Sequence, residues 1–159
     1  MKKNIKLLII LLIVFSFNTN SSYSAMSGSG NDEASLYNAG KKLIYRAKRL
    51  EKKNKIEKAN ALYLKAYNKL IKAYDKDKKN ADILNYLGYS LRKTGDLEKA
   101  ESYYLKGLEL DAGHIGINEY LGELYVQTNR IDLAKKRLEI LMGCKCEEYE
   151  ELKKLIENK

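Results

Sequence analysis

Cys144 and Cys146 are the two cysteines of this 159-residue chain, and one residue separates them. A pair at that spacing can close a disulfide, stay as reduced thiols, hold a soft metal or exchange electrons. Exchange of the thioredoxin kind needs C-x-x-C near a strand–helix–strand pattern, and neither is present. Two thiolates suit a soft ion such as Cu(I). Met142 is the one soft donor beside them, and no histidine or methionine-rich tract is near. A disulfide is the reading best suited to an oxidising compartment, over a short ring.

His114 is the sole histidine and falls between two apolar-periodic segments, where it reads as solvated. No glycine-rich phosphate loop, H-E-x-x-H or nucleophile elbow occurs. The runs Glu147-Glu148 and Glu150-Glu151 open a helical pattern, where they favour the helix dipole. These residues supply no nucleophile, base or ligand set. The expectation is a protein that is not an enzyme, with no catalytic residue, metal or cofactor.

The remaining chemistry is contact chemistry. There are 13 tyrosines, 2 phenylalanines and no tryptophan, so aromatic surface falls to tyrosine. Tyr45, Tyr86 and Tyr120 recur at intervals of 41 and 34 residues. The same intervals govern the elements that must position them. Leu87-Gly88 and Leu121-Gly122 are 34 apart, as are Leu91 and Tyr125, Gly95 and Asn129, Leu97 and Ile131, Ala100 and Ala134, and Tyr104 and Leu138. A period of that size indicates stacked helical pairs. Ile56–Ala59 and Tyr63–Ala66 match Leu97–Ala100 and Tyr104–Gly107 at an offset of 41, so an earlier unit carries seven extra residues, two helical turns. The spacing predicts helices from Asp32 or Ser35 to about Lys53, from Ile56 through Ala73, and over 82–93, 97–110, 117–127, 131–142 and 147–158. The last, with Tyr149, Leu152, Leu155 and Ile156 on one side, is placed to cover the end of the stack. No segment alternates with period two, so no sheet is expected.

A hydrophobic content of 45% is enough for most of the chain to fold. The head is different. A basic Met1–Lys6, an apolar Leu7–Phe17 and a polar stretch ending in small residues have the layout of a secretory signal peptide over 1–24. The apolar run is shorter than the roughly 20 residues of a membrane span. A flexible leader is expected over 25–33, and export to a periplasmic or external space follows. Charge is uneven: residues 41–80 hold 15 basic and 4 acidic residues, and residues 81–159 hold 12 and 15. A basic first third could meet an anionic lipid or glycan surface. Lysine outnumbers arginine 25 to 5, which argues against nucleic-acid recognition, where arginine forks are favoured.

The pattern resembles the tetratricopeptide repeat. Leu84, Leu87, Gly88, Leu91, Ala100, Tyr104 and Gly107 carry it in the middle unit. The last unit offers Leu121, Gly122, Tyr125, Ala134 and Leu138, and the first Leu43, Ala47, Leu50, Ala59, Tyr63 and Ala66. The chain departs from the family at Leu43, Leu84 and Asn118, where tryptophan is usual, at Arg46, usually leucine, and at Ala112, usually proline. The resemblance implies an all-α, right-handed solenoid of about three antiparallel helix pairs over 34–159, with units near 40–80, 81–114 and 115–148 and a capping helix over 147–158. Gly88 and Gly122 are expected to let the two helices of a unit approach closely. The implied activity is protein or peptide binding on a concave wall built by each unit's first helix. On that wall stand Lys41, Tyr45, Lys48 and Lys52, then Asn85, Tyr86, Tyr89, Arg92 and Lys93, then Glu119, Tyr120, Glu123 and Gln127. Members that grip a C-terminal carboxylate use a Lys/Asn/Arg constellation. The matching places here hold Ile44, Lys48, Tyr86, Gly116 and Tyr120, of which only Lys48 is basic.

Overall fold

Every stretch with a helical apolar rhythm among the described residues is a helix. The computed structural model describes the backbone of residues 29–159 and side chains from Asp32 onward. Seven helices and no strand occur among them: α1 (Ser29–Glu51), α2 (Ile56–Lys76), α3 (Ala81–Thr94), α4 (Leu97–Leu110), α5 (Ile115–Gln127), α6 (Ile131–Leu141) and α7 (Glu147–Glu157). The first six pair as α1/α2, α3/α4 and α5/α6, each pair stacks on the next, and α7 packs on α5 and α6. The expected signal peptide lies outside the described residues.

The turn inside each pair is the same device three times. Asn54, Gly95 and Asn129 have positive φ of 55°, 95° and 60°. They stand 41 and 34 residues apart, so the left-handed residue follows the repeat. One residue further on, the N–H of Lys55, Asp96 and Arg130 donates to the carbonyl of Leu50, Leu91 and Tyr125 at 2.9, 3.0 and 2.7 Å. That bond closes a helix end through a left-handed residue, which glycine and asparagine tolerate best. Three helix starts, those of α3, α4 and α5, are capped by side chains. Asn80 accepts from Ile83 N–H, Asp96 from Lys99 N–H and His114 Nδ1 from Ile117 N–H at 3.2 Å. His114 is thus a cap for α5 rather than the solvated residue expected, because its imidazole has the same reach to the first-turn N–H as an asparagine side chain.

The inserted seven residues lengthen one helix: α2 has 21 residues and α4 has 14. The longer α2 has an effect at the chain's other boundary. Lys76 at its end pairs with Asp32 at 3.0 Å. Helix α1 accordingly starts at Ser29, inside the stretch expected to be a flexible leader. Asp32 in the first turn also favours the helix dipole there.

Two core clusters run the length of the stack. One gathers Ile44, Ala47, Ala59, Tyr63, Leu70 and Leu87; the other gathers Ala100, Tyr104, Leu121, Leu124, Ala134 and Leu152. The glycines mark the closest approaches. A Cβ on Gly88 would stand 2.5 Å from Tyr104 of its own unit's second helix, as expected. A Cβ on Gly122 would instead collide with the Leu152 side chain of α7. Gly122 therefore makes its closest approach to the capping helix rather than to α6. The residue equivalent to Tyr104 is the shorter Leu138, and α7 fills the space. Leu152 is fully buried with Tyr149 and Ile156 beside it, whereas Leu155, expected on that face, is 41% exposed. Asn118 replaces an aromatic residue without loosening its unit. It is fully buried, donates to Ala112 and His114 carbonyls at 3.1 and 3.0 Å, and accepts from Arg137.

Candidate functional site

A cleft runs across the inner faces of α1, α3 and α5, and its floor is aromatic. The rings of Tyr89 and Tyr120 stand 4.6 Å apart, and Tyr63 meets Tyr89 edge-on from behind at 5.8 Å. Lys48 lies over both floor rings at 4.8 and 5.4 Å and donates to the Tyr120 hydroxyl at 3.3 Å. Arg92 lies over the same rings at 5.4 and 5.8 Å. A ring pair between two cations is held by quadrupole attraction as well as packing. Lys48 and Tyr120 are 72 residues apart, so this contact ties the first unit to the third.

The walls are charged in a set order. Lys48, Lys52, Arg92 and Lys93 line a cleft of about 300 Å³ together with Glu51, Glu123 and Glu151. Glu51 holds that end in place: it accepts from Tyr63 at 2.7 Å and pairs with Lys93 at 2.8 Å. The Arg92 side chain is only 9% exposed and ion-pairs with Glu123. Burial opposes its charge, and the surrounding tyrosine oxygens and Glu123 raise its pKa. A second hollow of about 340 Å³ shares Lys48, Tyr120 and Glu151 and adds Tyr45, Glu119, Glu147 and Glu148. Here the lining turns acidic. Burial, then Glu123, Glu151 and Glu148, push the Glu119 carboxyl up to about 9. Burial likewise raises Tyr63, Tyr89 and Tyr120.

The structure brings nine of the thirteen residues expected on the wall to this cleft: Tyr45, Lys48, Lys52, Tyr89, Arg92, Lys93, Glu119, Tyr120 and Glu123. Lys41, Asn85, Tyr86 and Gln127 do not line it. Asn85 is 4% exposed and sits under Gly116, where a Cβ would come within 2.8 Å of its amide nitrogen. It faces the next helix because a glycine there leaves room. Tyr86 packs against Tyr37 at 6.0 Å with Lys41 above both rings. Tyr45, Tyr86 and Tyr120 share a register position: Tyr86 hydrogen-bonds Tyr45 and lies near Tyr120, while Tyr89 makes the ring contact with Tyr120. The sequence reading missed the acidic rim. Glu147, Glu148 and Glu151 look like ordinary first-turn glutamates until α7 folds back over α5. The pattern could have shown this only through Gly122, whose partner is sequence-remote. Cys144 and Cys146, in the loop before α7, are bonded to each other. In that state they leave no thiolate for a metal.

A stack of paired helices with a charged aromatic cleft on its inner face defines a helical-repeat solenoid. Residues 81–114 match the family model described as the tetratricopeptide repeat. The chain carries one match to that repeat, and its stack has the fold of solved tetratricopeptide-repeat domains. Among similar solved structures is the second such domain of human RPAP3 in complex with the HSP70 peptide SGPTIEEVD, at 18% identity and TM-score 0.54, covering 80% of this chain and 99% of that one. A tetratricopeptide repeat protein from Parabacteroides merdae has 17% identity and TM-score 0.54, covering 76% and 59%. The corresponding domain of Arabidopsis OM64 has 14% identity and TM-score 0.52, covering 77% and 98%. None of the curated proteins matches the chain.

Proposed function

We propose that this protein is a non-catalytic interaction module that holds an extended segment of a partner protein in the cleft between α1, α3 and α5. The observation that carries this reading is the Tyr89–Tyr120 floor with lysines from two different units beside it. Tyrosine gives contact area at low conformational cost, and flanking cations favour acidic groups on the partner. A solved relative of the same fold holds an HSP70 peptide ending in Glu-Glu-Val-Asp. This chain would hold its partner differently, because Ile44, Tyr86 and Gly116 stand where the carboxylate-gripping members carry polar and basic residues, and Ile44 is buried. We place the module outside the cytoplasm, on the leader-like head of the sequence and the suitability of the Cys144–Cys146 bond to an oxidising space.

Tyr45 and Lys52 are exposed and line the cleft, so Tyr45→Ala with Lys52→Ala alters the wall without touching the core. Crosslinking of purified wild-type protein in envelope extracts should yield a partner whose recovery the double variant lowers several-fold. Equal recovery by both proteins sinks the assignment of the cleft. The mass of the exported form reports separately on cleavage after Ser24 or Ala25.

A further inference from the structure

Building on the reading of the cleft as a peptide site, we infer that the cleft is electrically polar and that its α5–α7 end seats a basic side chain of the partner, arginine in preference to lysine. The central observation is Glu119. It is 3% exposed, lies in the interior of α5, and lines the hollow beside Tyr120. Its side-chain hydrogen-bond partner is another acid, the Glu151 carboxyl. A buried carboxyl paired with another carboxyl rather than with a cation is costly. Its nearest chemistry is more acid: carboxylate oxygens of Glu119, Glu123 and Glu151 lie within 4.8 Å of one another. Helix-dipole stabilisation accounts for the glutamates at the start of α7 but not for Glu119.

The groups that face Glu119 come from five helices. Glu123 stands on its own helix, Glu148 and Glu151 on α7, and Tyr104 on α4. Lys48 of α1 shares the hollow. Lys48 is committed to the Tyr120 hydroxyl and the two floor rings, and Arg92 of α3 to Glu123. Lys52 and Lys154 line neighbouring hollows with Glu151, but among the described residues neither ion-pairs with Glu119 or Glu151. A guanidinium entering the hollow would meet both carboxyls with its two-pronged donor edge and the Tyr120 ring with its face, which an ammonium does less well. The opposite end of the cleft, with Lys52 and Lys93, would take an acidic residue of the same segment. Partner segments of uniform charge meet repulsion at one end or the other.

Burial and the neighbouring carboxylates keep Glu119 protonated in the empty cleft at neutral pH. A seated cation favours the ionised form, so the carboxyl proton passes to solvent on binding. Affinity should therefore rise with pH from neutral towards about 9, where the empty site is itself ionised, and then level off.

A random decapeptide display selection against the purified protein tests this. Selected sequences should be enriched several-fold in arginine at one position, with acidic residues on one side of it. Repeating the selection on Glu119→Gln with Glu151→Gln should erase the arginine enrichment and keep the acidic one. Replacing that arginine by glutamine in a selected peptide should weaken binding by tenfold or more. Calorimetry in buffers of different ionisation enthalpy should show proton release with wild type and none with Glu119→Gln. Peptides that bind without a basic residue, or arginine enrichment that survives in the variant, overturn the polar-cleft inference while leaving peptide binding intact. A selection that yields no binding peptide removes the peptide-site reading beneath it.

Discussion

Replacing Gly122 by alanine is expected to disturb the cap of the stack rather than the pair it belongs to. Two effects oppose each other. Alanine in a helix interior is favoured over glycine by about 1 kcal/mol. Against this, the new methyl would lie 2.8 Å from one methyl of Leu152 and closer still to the other. Carbon atoms in contact prefer roughly 3.5–4.0 Å, so α7 must move by about 1 Å or distort. Overpacking of that kind costs about 1–3 kcal/mol. The net expectation is a destabilisation of about 0–2 kcal/mol. The sharper quantity is the coupling with Leu152→Ala, which alone should cost about 2–5 kcal/mol because Leu152 is fully buried. With Leu152 truncated, the methyl added in Gly122→Ala has somewhere to go. The double variant should be more stable than the sum of the singles by about 1–3 kcal/mol. Urea denaturation of the four proteins measures it. Hydrogen exchange in Gly122→Ala should accelerate first in α7 (Glu147–Glu157). A Gly122→Ala protein stabilised by the full propensity gain, with additive energies, would refute the α5–α7 approach.

Further expectations are local. His114→Ala removes the α5 cap and should cost about 1 kcal/mol, while His114→Asn should restore most of it, as thermal melts will show. Arg130 holds Glu101 with two bonds of 2.9 and 2.7 Å and lies 4.6 Å from the Tyr125 ring centre, so Arg130→Lys should lower stability by about 0.5–1 kcal/mol in urea titrations. Glu119 binds its proton more tightly folded, at about 9, than at its ordinary 4.5. Its contribution to stability is therefore whole below about 4.5 and is lost as pH rises towards about 9. Glu119→Gln should flatten that decline between about pH 6 and about pH 9 in melting temperature, and parallel profiles for the two proteins would count against the buried acid.

The repeat interval was enough to place the six paired helices and the two extra turns of α2, because stacking enforces the same small and large residues in each unit, and the apolar side of α7 placed the seventh. Gly88 against Tyr104 follows from that rule. Gly122 against Leu152 does not, since the cap lies outside the repeat and answers to the last unit's own gaps. Most of the cleft was also legible, because residues of the first helices keep their register. Tyr86 keeps its place beside Tyr45 and also packs on Tyr37, a turn before the matched region. The acidic end was hidden for a different reason. Glu148 and Glu151 acquire their setting from where α7 lands, and Glu119 reads on its own as a surface residue of a short helix.

The unequal length of the three pairs bears on how the stack assembles. Helices α1 and α2, with 23 and 21 residues and a short turn between them, form the largest hairpin and one made of local contacts. In a quasi-one-dimensional array, order starts where the local unit is strongest and spreads to neighbours. Nucleation at α1/α2 and propagation through α3–α6 would leave α7, with 11 residues and one fully buried side chain, to settle last. The acidic pole would then be the final part of the cleft to form and the first to fray, so the selectivity of the groove would respond to mild stress well before the scaffold unfolds.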